Sequence, residues 1–292
     1  FRAIDAIRFD WGPAPYPADQ ADHWAGVAAS FGDDRLDREW LSHGDVDAAM
    51  QADAITAEYR APYVAHQPLE PLSATIRMGD GVVDIWVSHQ MPRFVQDRVA
   101  AITGVDADAV RLHNQYAGGS FGHRLEFGHV DAAAEIAMRL PGETIKLTYS
   151  REEDFAQDFP RQIGMARARG AVAGGHIVAL DLRIATASAT RSQLGRLGQS
   201  VPGPDAQIVA GAWTLPYAIP DFRVRAYAVP DLAPTSSWRS VGASTGGFFA
   251  DCFVDELCHA AGADPLAERL ALCTDPDARA CLRAVGEMSG WG

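Results

Sequence analysis

The sequence predicts an α+β fold, with mixed sheets and hairpins set against packed helices. Three observations carry this. Alternating apolar stretches meet at glycine turns, and helical periodicities stand between and after them. Strands and helices also fail to alternate in the regular order of a parallel α/β chain. No solenoid-type repeat is present.

Taken in order, residues 1–54 read as the tail of a preceding unit and a linker, and 55–292 as the main domain. Residues 4–11 alternate loosely like a strand until Gly12-Pro13-Ala14-Pro15-Tyr16-Pro17 breaks the pattern. Short helices are expected over 19–31 and 45–53, with Asp45 capping the second. Ala74 to Met78 and Val82 to Ser88 form a hairpin turned at Gly79-Asp80-Gly81. Pro92 opens a helix with one face marked by Phe94, Val95, Arg98, Val99 and Ile102, and Gly104 ends it. Val110 to His113 is a short strand, Asp131 to Leu140 an alanine-rich helix, and Thr144 to Tyr149 a strand.

Gly174-Gly175 turns a longer hairpin from roughly 164–173 and 176–189. The stretch Gln193 to Gly211, rich in Gly, Ser and Pro, is expected to be an exposed excursion. The C-terminal part is helical. Phe249, Cys252, Phe253, Leu257 and Ala260 share a face that Gly262 terminates, and Asp264-Pro265 and Asp275-Pro276 each start a further helix.

Composition narrows the function classes. The 292 residues are 48% hydrophobic and 22% charged, as in an ordinary globular protein. A net charge of -13 argues against nucleic acid, because phosphate binding needs clustered Lys and Arg. No apolar run approaches the ~18–20 residues that span a bilayer. Cys252, Cys258, Cys273 and Cys281 contain no C-x2-C pair, so unpaired buried thiols are the expectation. The chain opens Phe1-Arg2-Ala3-Ile4, without Met or a signal pattern, and is read as an internal piece of a longer polypeptide.

The most unusual local sequence is Gly118-Gly119-Ser120-Phe121-Gly122-His123-Arg124, between a strand and a helix. Glycines there let bare backbone N–H groups approach a ligand, and the helix that follows favours an anion. Neither the phosphate-loop pattern nor the dinucleotide pattern fits. A plain tight turn therefore stands beside a ligand site as a reading. His113, His123 and His129 lie close in sequence with Glu126, but without metal-ligand spacing, so no protein-ligated metal is expected. Trp238-Arg239-Ser240-Val241-Gly242 could place a guanidinium on a carboxylate or ring, or leave a solvated Arg239 beside a core Trp. Arg151-Glu152-Glu153-Asp154 reads as a solvated helix start.

In order along the chain, these segments resemble the large subunit of the xanthine dehydrogenase/aldehyde oxidase family, the molybdenum hydroxylases. The isoquinoline 1-oxidoreductase β-subunit branch is the most similar. The resemblance is carried by His43 to Ala49, Leu69-Glu70-Pro71, Val87-Ser88-His89-Gln90 and Gly118 to Arg124. It continues through Lys146 to Asp154, Trp238 to Gly242 and Asp255 to Leu266.

The resemblance implies the N-terminal half of a molybdopterin-binding domain. It further implies molybdenum on a molybdopterin cytosine dinucleotide, with no protein ligand to the metal, and a small iron–sulfur partner subunit. The implied reaction is hydroxylation of an N-heterocycle or oxidation of an aldehyde, with water as the oxygen source. Gln90 and the loop Gly118, Gly119, Ser120, Phe121 and Gly122 fall on the family's cofactor contacts, and Arg239 on its substrate side. Ser120 stands where the family has a third loop glycine, His123 where it usually has arginine, and Leu125 where xanthine-type members carry glutamate. The family's general base belongs to a G-x-G-E-type segment not found in this sequence, so the chain alone is expected to be inactive. A non-catalytic docking domain, or an unrelated hydrolase using His and acids around 113–131, are the alternative readings.

Overall fold

Nine strands divide between two sheets in the computed structural model, which describes residues 6–50 and 54–292. In chain order they are β1 (Leu36–His43), β2 (Ile55–Ala61), β3 (Ser73–Gly79), β4 (Val82–Val87), β5 (Val110–Asn114), β6 (Thr144–Thr148), β7 (Gly164–Ala173), β8 (His176–Thr186) and β9 (Asp221–Ala228). The helices are α1 (Gln20–Ala29), α2 (Val46–Ala49), α3 (Pro92–Thr103), α4 (Gly128–Arg139), α5 (Arg151–Ala156), α6 (Ala189–Arg196), α7 (Ala243–Ala261), α8 (Pro265–Leu272) and α9 (Pro276–Ser289). The mixed sheets with packed helices are the α+β arrangement expected.

The smaller sheet has the order β5-β4-β3-β6. Asp80 (φ 52) and Gly81 (φ 76) both take the left-handed conformation that a two-residue β3–β4 turn demands. Alternation then puts Ala74, Ile76, Val83, Ile85 and Val87 on a buried face. Val95 and Val99 of α3, with Val130, Ala133, Ala134 and Ala137 of α4, close that core. Small alanines let α4 lie close to the sheet. Gly104 (φ 76) ends α3 as its sequence suggests. Because α3 is a crossover, β4 and β5 are parallel, with Val83 opposite Val110 and Val87 opposite Asn114. Both strands therefore end at the same edge.

The larger sheet runs β1-β9-β8-β7-β2. Phe249, Phe253, Val254 and Leu257 of α7 pack with Ala168, Leu180 and Leu182. Gly170 admits that approach, since a Cβ there would lie 2.6 Å from Leu257. Val27 of α1 joins a separate cluster with Ile163, Met165, Ala185 and Tyr227. Asp264 and Asp275 cap α8 and α9 through the amides of Ala267 and Ala278. No helix among the described residues is long and apolar enough to cross a membrane.

Several expectations change. Residues 6–11 are exposed and form no strand, while 4 and 5 lie outside the described residues. The helix at 46 is a single turn, capped by Asp45 as expected, and 51–53 lie outside the described residues. β1, β2 and β9 are additional strands, and residue 54 falls between β1 and β2, the two edges of one sheet. The 193–211 stretch is not a simple excursion. It begins in α6, and Gln193, Asp205, Ile208 and Val209 are buried. All four cysteines are free, with Cys258 and Cys273 buried and Cys281 exposed.

Candidate functional site

The parallel pair β4–β5 delivers two loops to one edge of the smaller sheet. Gln115 N–H donates to the Val87 carbonyl at 3.0 Å, continuing the pairing beyond the strands. His89 N–H reaches Asn114 Oδ1 at 3.2 Å, and Gln90 N–H reaches the Arg124 carbonyl at 3.0 Å. Ser120 Oγ accepts from Arg124 N–H at 3.1 Å and donates its own proton to Gln90 Oε1. Gln90 and the glycine loop are thus in direct contact.

Steric demand explains the glycines. A Cβ on Gly122 (φ 111) would lie 1.7 Å from the Ser237 carbonyl oxygen, and one on Gly118 would lie 2.6 Å from Glu70 Cβ. Gly119 (φ 102) and Phe121 (φ 59) also bend the backbone into left-handed space. Among the described residues, the amides of Gly119, Ser120, Phe121 and Gly122 have no hydrogen-bond acceptor, and neither does the carboxamide nitrogen of Gln90. Gln90 and Phe121 are exposed.

Arg124 supports the loop from within. Its fully buried guanidinium donates to the Gly119 carbonyl at 2.9 Å and to Glu70 Oε2 at 2.7 Å, while Glu70 accepts Gly118 N–H at 2.7 Å. Burial lowers its pKa, against the opposing pull of Glu70 and Asp154. Arg124 closes the glycine segment in sequence, but its supporting role has no local signal, because a buried arginine is recognised only by its partners.

A second buried cluster adjoins Gly122. Asp158 Oδ2 accepts the His66 backbone N–H at 2.8 Å, and its Oδ1 lies 2.7 Å from His66 Nδ1 and 3.0 Å from His123 Nδ1. The His123 contact is off the ring's N–H direction and makes no hydrogen bond. His66 Nε2 faces the Ser237 carbonyl at 3.2 Å, and His123 Nε2 faces Asp154 at 3.3 Å. Burial opposes a charged His123, but Asp158 and Asp154 outweigh it and raise the pKa. Asp158 is raised by burial but ends well below the carboxylate range through His123 and His66.

The three histidines close in sequence do not gather. His113 is exposed, pairs with Asp84 at 2.9 Å and stacks on Trp86. His129 is fully buried beside His89, with both ring nitrogens unpartnered among the described residues. Burial pushes His89 down to about 4 and His129 down to about 3. His89 Nδ1 accepts Met91 N–H at 3.0 Å, so its Nε2 donates to the Glu126 carbonyl.

The 234–242 segment meets the glycine loop through Ser237, whose hydroxyl donates to Gln193 Oε1 at 2.6 Å. Arg196 reinforces this by reaching Glu126 at 2.6 Å and the Thr235 carbonyl at 3.0 Å. Trp238 Nε1 donates to the Ala65 carbonyl, and the guanidinium over its ring is that of Arg161, not Arg239. Arg239 is exposed and has no hydrogen bond or ion pair among the described residues. It precedes Ser240 (φ 69) and Val241 (φ 48), an unfavourable backbone for a β-branched residue.

Residues 32–271 match the family described as the molybdopterin cofactor-binding domain. The chain belongs to that family.

As a molybdopterin cofactor-binding domain it is 34% identical over 239 residues to the isoquinoline 1-oxidoreductase subunit beta of Brevundimonas diminuta, covering 80% of this chain and 30% of that protein. It is 29% identical over 294 residues to a protein of Gluconacetobacter polyoxogenes named membrane-bound aldehyde dehydrogenase [pyrroloquinoline-quinone], covering 94% and 36%. The chain thus spans about a third of the length of these relatives. The fold is that of the aldehyde oxidoreductase from Desulfovibrio gigas (TM-score 0.67, 22% identity, 86% of this chain and 28% of that one). Carbon monoxide dehydrogenase from Oligotropha carboxidovorans shares it too (0.68, 15%, 99% and 40%). The resemblance to molybdenum hydroxylases read from the sequence agrees with these matches.

Proposed function

We propose that this domain holds the molybdenum–pterin cofactor of an oxidoreductase that hydroxylates N-heterocycles or oxidises aldehydes with water as the oxygen source. The observation that carries the reading is the group of N–H donors on Gln90 and on Gly119, Ser120, Phe121 and Gly122 that have no acceptor among the described residues. Such donors fit a group rich in oxygen acceptors, and the glycines keep the backbone bare enough for it to approach. When bound, the cofactor supplies the two-electron redox centre at which oxygen derived from water is transferred.

The chain's own residues bind and orient. Ser120 fixes the carboxamide of Gln90 by its oxygen, leaving the nitrogen to donate. The loop amides donate beside it, and Arg124 and Glu70 keep the loop from relaxing. Arg239, without a partner among the described residues, offers positive charge to a substrate in which negative charge develops on a ring nitrogen or oxygen. The names of the two relatives support N-heterocycle and aldehyde substrates.

The cytosine dinucleotide form of the cofactor and a small iron–sulfur partner subunit complete the reading. The test is cofactor analysis of the purified enzyme containing this chain. One molybdenum and one pterin per chain are expected. Pyrroloquinoline quinone in place of molybdenum, or neither, would overturn the proposal.

A further inference from the structure

We infer that His66, His123 and Asp158 form a binding site for one divalent cation of the zinc class, next to Gly122 and independent of the molybdenum–pterin reading. Three donor atoms from separate parts of the chain, two imidazole nitrogens and one carboxylate oxygen, lie within 4.8 Å of one another. Their side chains are 0%, 1% and 5% exposed.

The hydrogen bonds around the rings fix which atoms face inward. The Ser237 carbonyl can only accept, so the His66 Nε2 that faces it carries a proton. Asp154 already accepts from Leu72 N–H at 2.8 Å and Arg151 at 3.1 Å, so His123 Nε2 donates to it as well. In neutral rings, both Nδ1 atoms are then lone pairs converging on Asp158 Oδ1. Three electron-rich atoms cannot share that space without positive charge between them.

Two protons or one divalent cation would supply it. Two protons fit poorly, because they would make both rings cationic with their centroids only 5.4 Å apart. A proton on His123 Nδ1 would also lack an aligned acceptor, since that buried atom makes no hydrogen bond. A cation needs no such alignment with Asp158. Metal-bound histidines regularly donate their other N–H to a carboxylate or a backbone carbonyl, and these two do one of each. Asp158 is oriented likewise, with Oδ2 held by the His66 amide, while its Oδ1, which meets His66 Nδ1 at 2.7 Å, is the atom that would turn to the ion. The 2.7 and 3.0 Å separations from Oδ1 fall a few tenths short of the roughly 3.3 Å edge of a tetrahedron with zinc–nitrogen bonds near 2.0 Å, so a small outward shift accommodates the ion. Nitrogen-rich ligation suits zinc or cobalt rather than magnesium or calcium.

The experiment titrates the chelator-treated full 292-residue chain with cobalt(II), reading its visible absorption, and then displaces cobalt with zinc. One cobalt per chain with the bands of a four-coordinate site is expected, with at least tenfold weaker binding in Asp158→Asn and His123→Gln. Circular dichroism confirms that each variant is folded. His113→Ala removes an exposed histidine and should leave binding unchanged. Absence of binding in the wild type overturns the inference, as does binding retained in both site variants or lost in His113→Ala. Should either site variant fail to fold, histidine NMR of the wild type decides: zinc must shift the His66 and His123 rings together, and unmoved rings overturn the site.

Discussion

Ser120 donates its hydroxyl proton to the side-chain oxygen of Gln90 while accepting the backbone N–H of Arg124. One hydroxyl thus couples the loop after β4 to the loop after β5. Ser120→Ala should cost about 1–2 kcal/mol of stability, the usual scale for losing such bonds. Gln90→Ala should cost less than that but lower turnover of the molybdenum-loaded enzyme at least tenfold. Denaturant unfolding and steady-state kinetics check the pair. Equal stability of Ser120→Ala and wild type would refute the coupling.

Gly122→Ala should be among the most damaging single changes in the chain. Its Cβ would sit 1.7 Å from a backbone oxygen, on a left-handed backbone as well. Gly104 is also left-handed, yet a Cβ there meets nothing within 4 Å. Gly104→Ala should therefore cost about 1 kcal/mol from backbone strain alone. Gly122→Ala should exceed that severalfold or fail to accumulate. Comparable melting temperatures for the two would mean that the Ser237 contact is dispensable.

Arg239→Ala should leave stability within about 0.5 kcal/mol of wild type, because the side chain has no partner among the described residues. In the loaded enzyme, turnover should fall about a hundredfold at unchanged molybdenum content, the scale of losing one charge-stabilising contact. Kinetics on preparations with matched metal content decide this. An unchanged kcat would assign Arg239 to the solvated surface.

Acid should destabilise the fold through His89 and His129. Both have folded pKa values, about 4 and about 3, below the ordinary 6.5. The unfolded chain therefore binds more protons between those values and 6.5. Stability from the neutral rings is complete above 6.5 and is lost as pH falls through 4 toward 3. The His89 contribution is on the order of 3 kcal/mol. His129→Leu, which removes a buried polar ring that has no hydrogen bond among the described residues, should flatten the dependence between pH 6.5 and 4. An identical pH slope in wild type and variant would exclude His129 from the acid response.

Elements with local signals were legible in the sequence. Gly79-Asp80-Gly81 marks its hairpin, and the Asp-Pro pairs mark the starts of α8 and α9, because turn and cap chemistry is written in adjacent residues. β9 also carries a readable signal, because Phe222, Val224 and Ala226 alternate with Arg223 and Arg225 in the period of a half-buried strand. β1 was harder, since an edge strand with two register irregularities keeps no clean period. For the site, the contact of Gln90 with the 118–122 loop follows from the parallel order of β4 and β5. The His66–Asp158 pairing does not, because residues 92 apart in sequence meet only through tertiary packing.

The larger sheet also dictates an order of assembly. Among the described strands, β1 hydrogen-bonds to β9 alone, and the chain supplies β9 after the other eight. During synthesis, β2, β7 and β8 can associate while β1 waits with both edges unsatisfied. β9 must then enter between β1 and β8, antiparallel to one and parallel to the other. Such a late, non-local insertion is slow and leaves an edge open to other chains meanwhile. Yield from translation should therefore depend on chaperone supply, and truncation before Asp221 should release an aggregation-prone product even though the smaller sheet is complete.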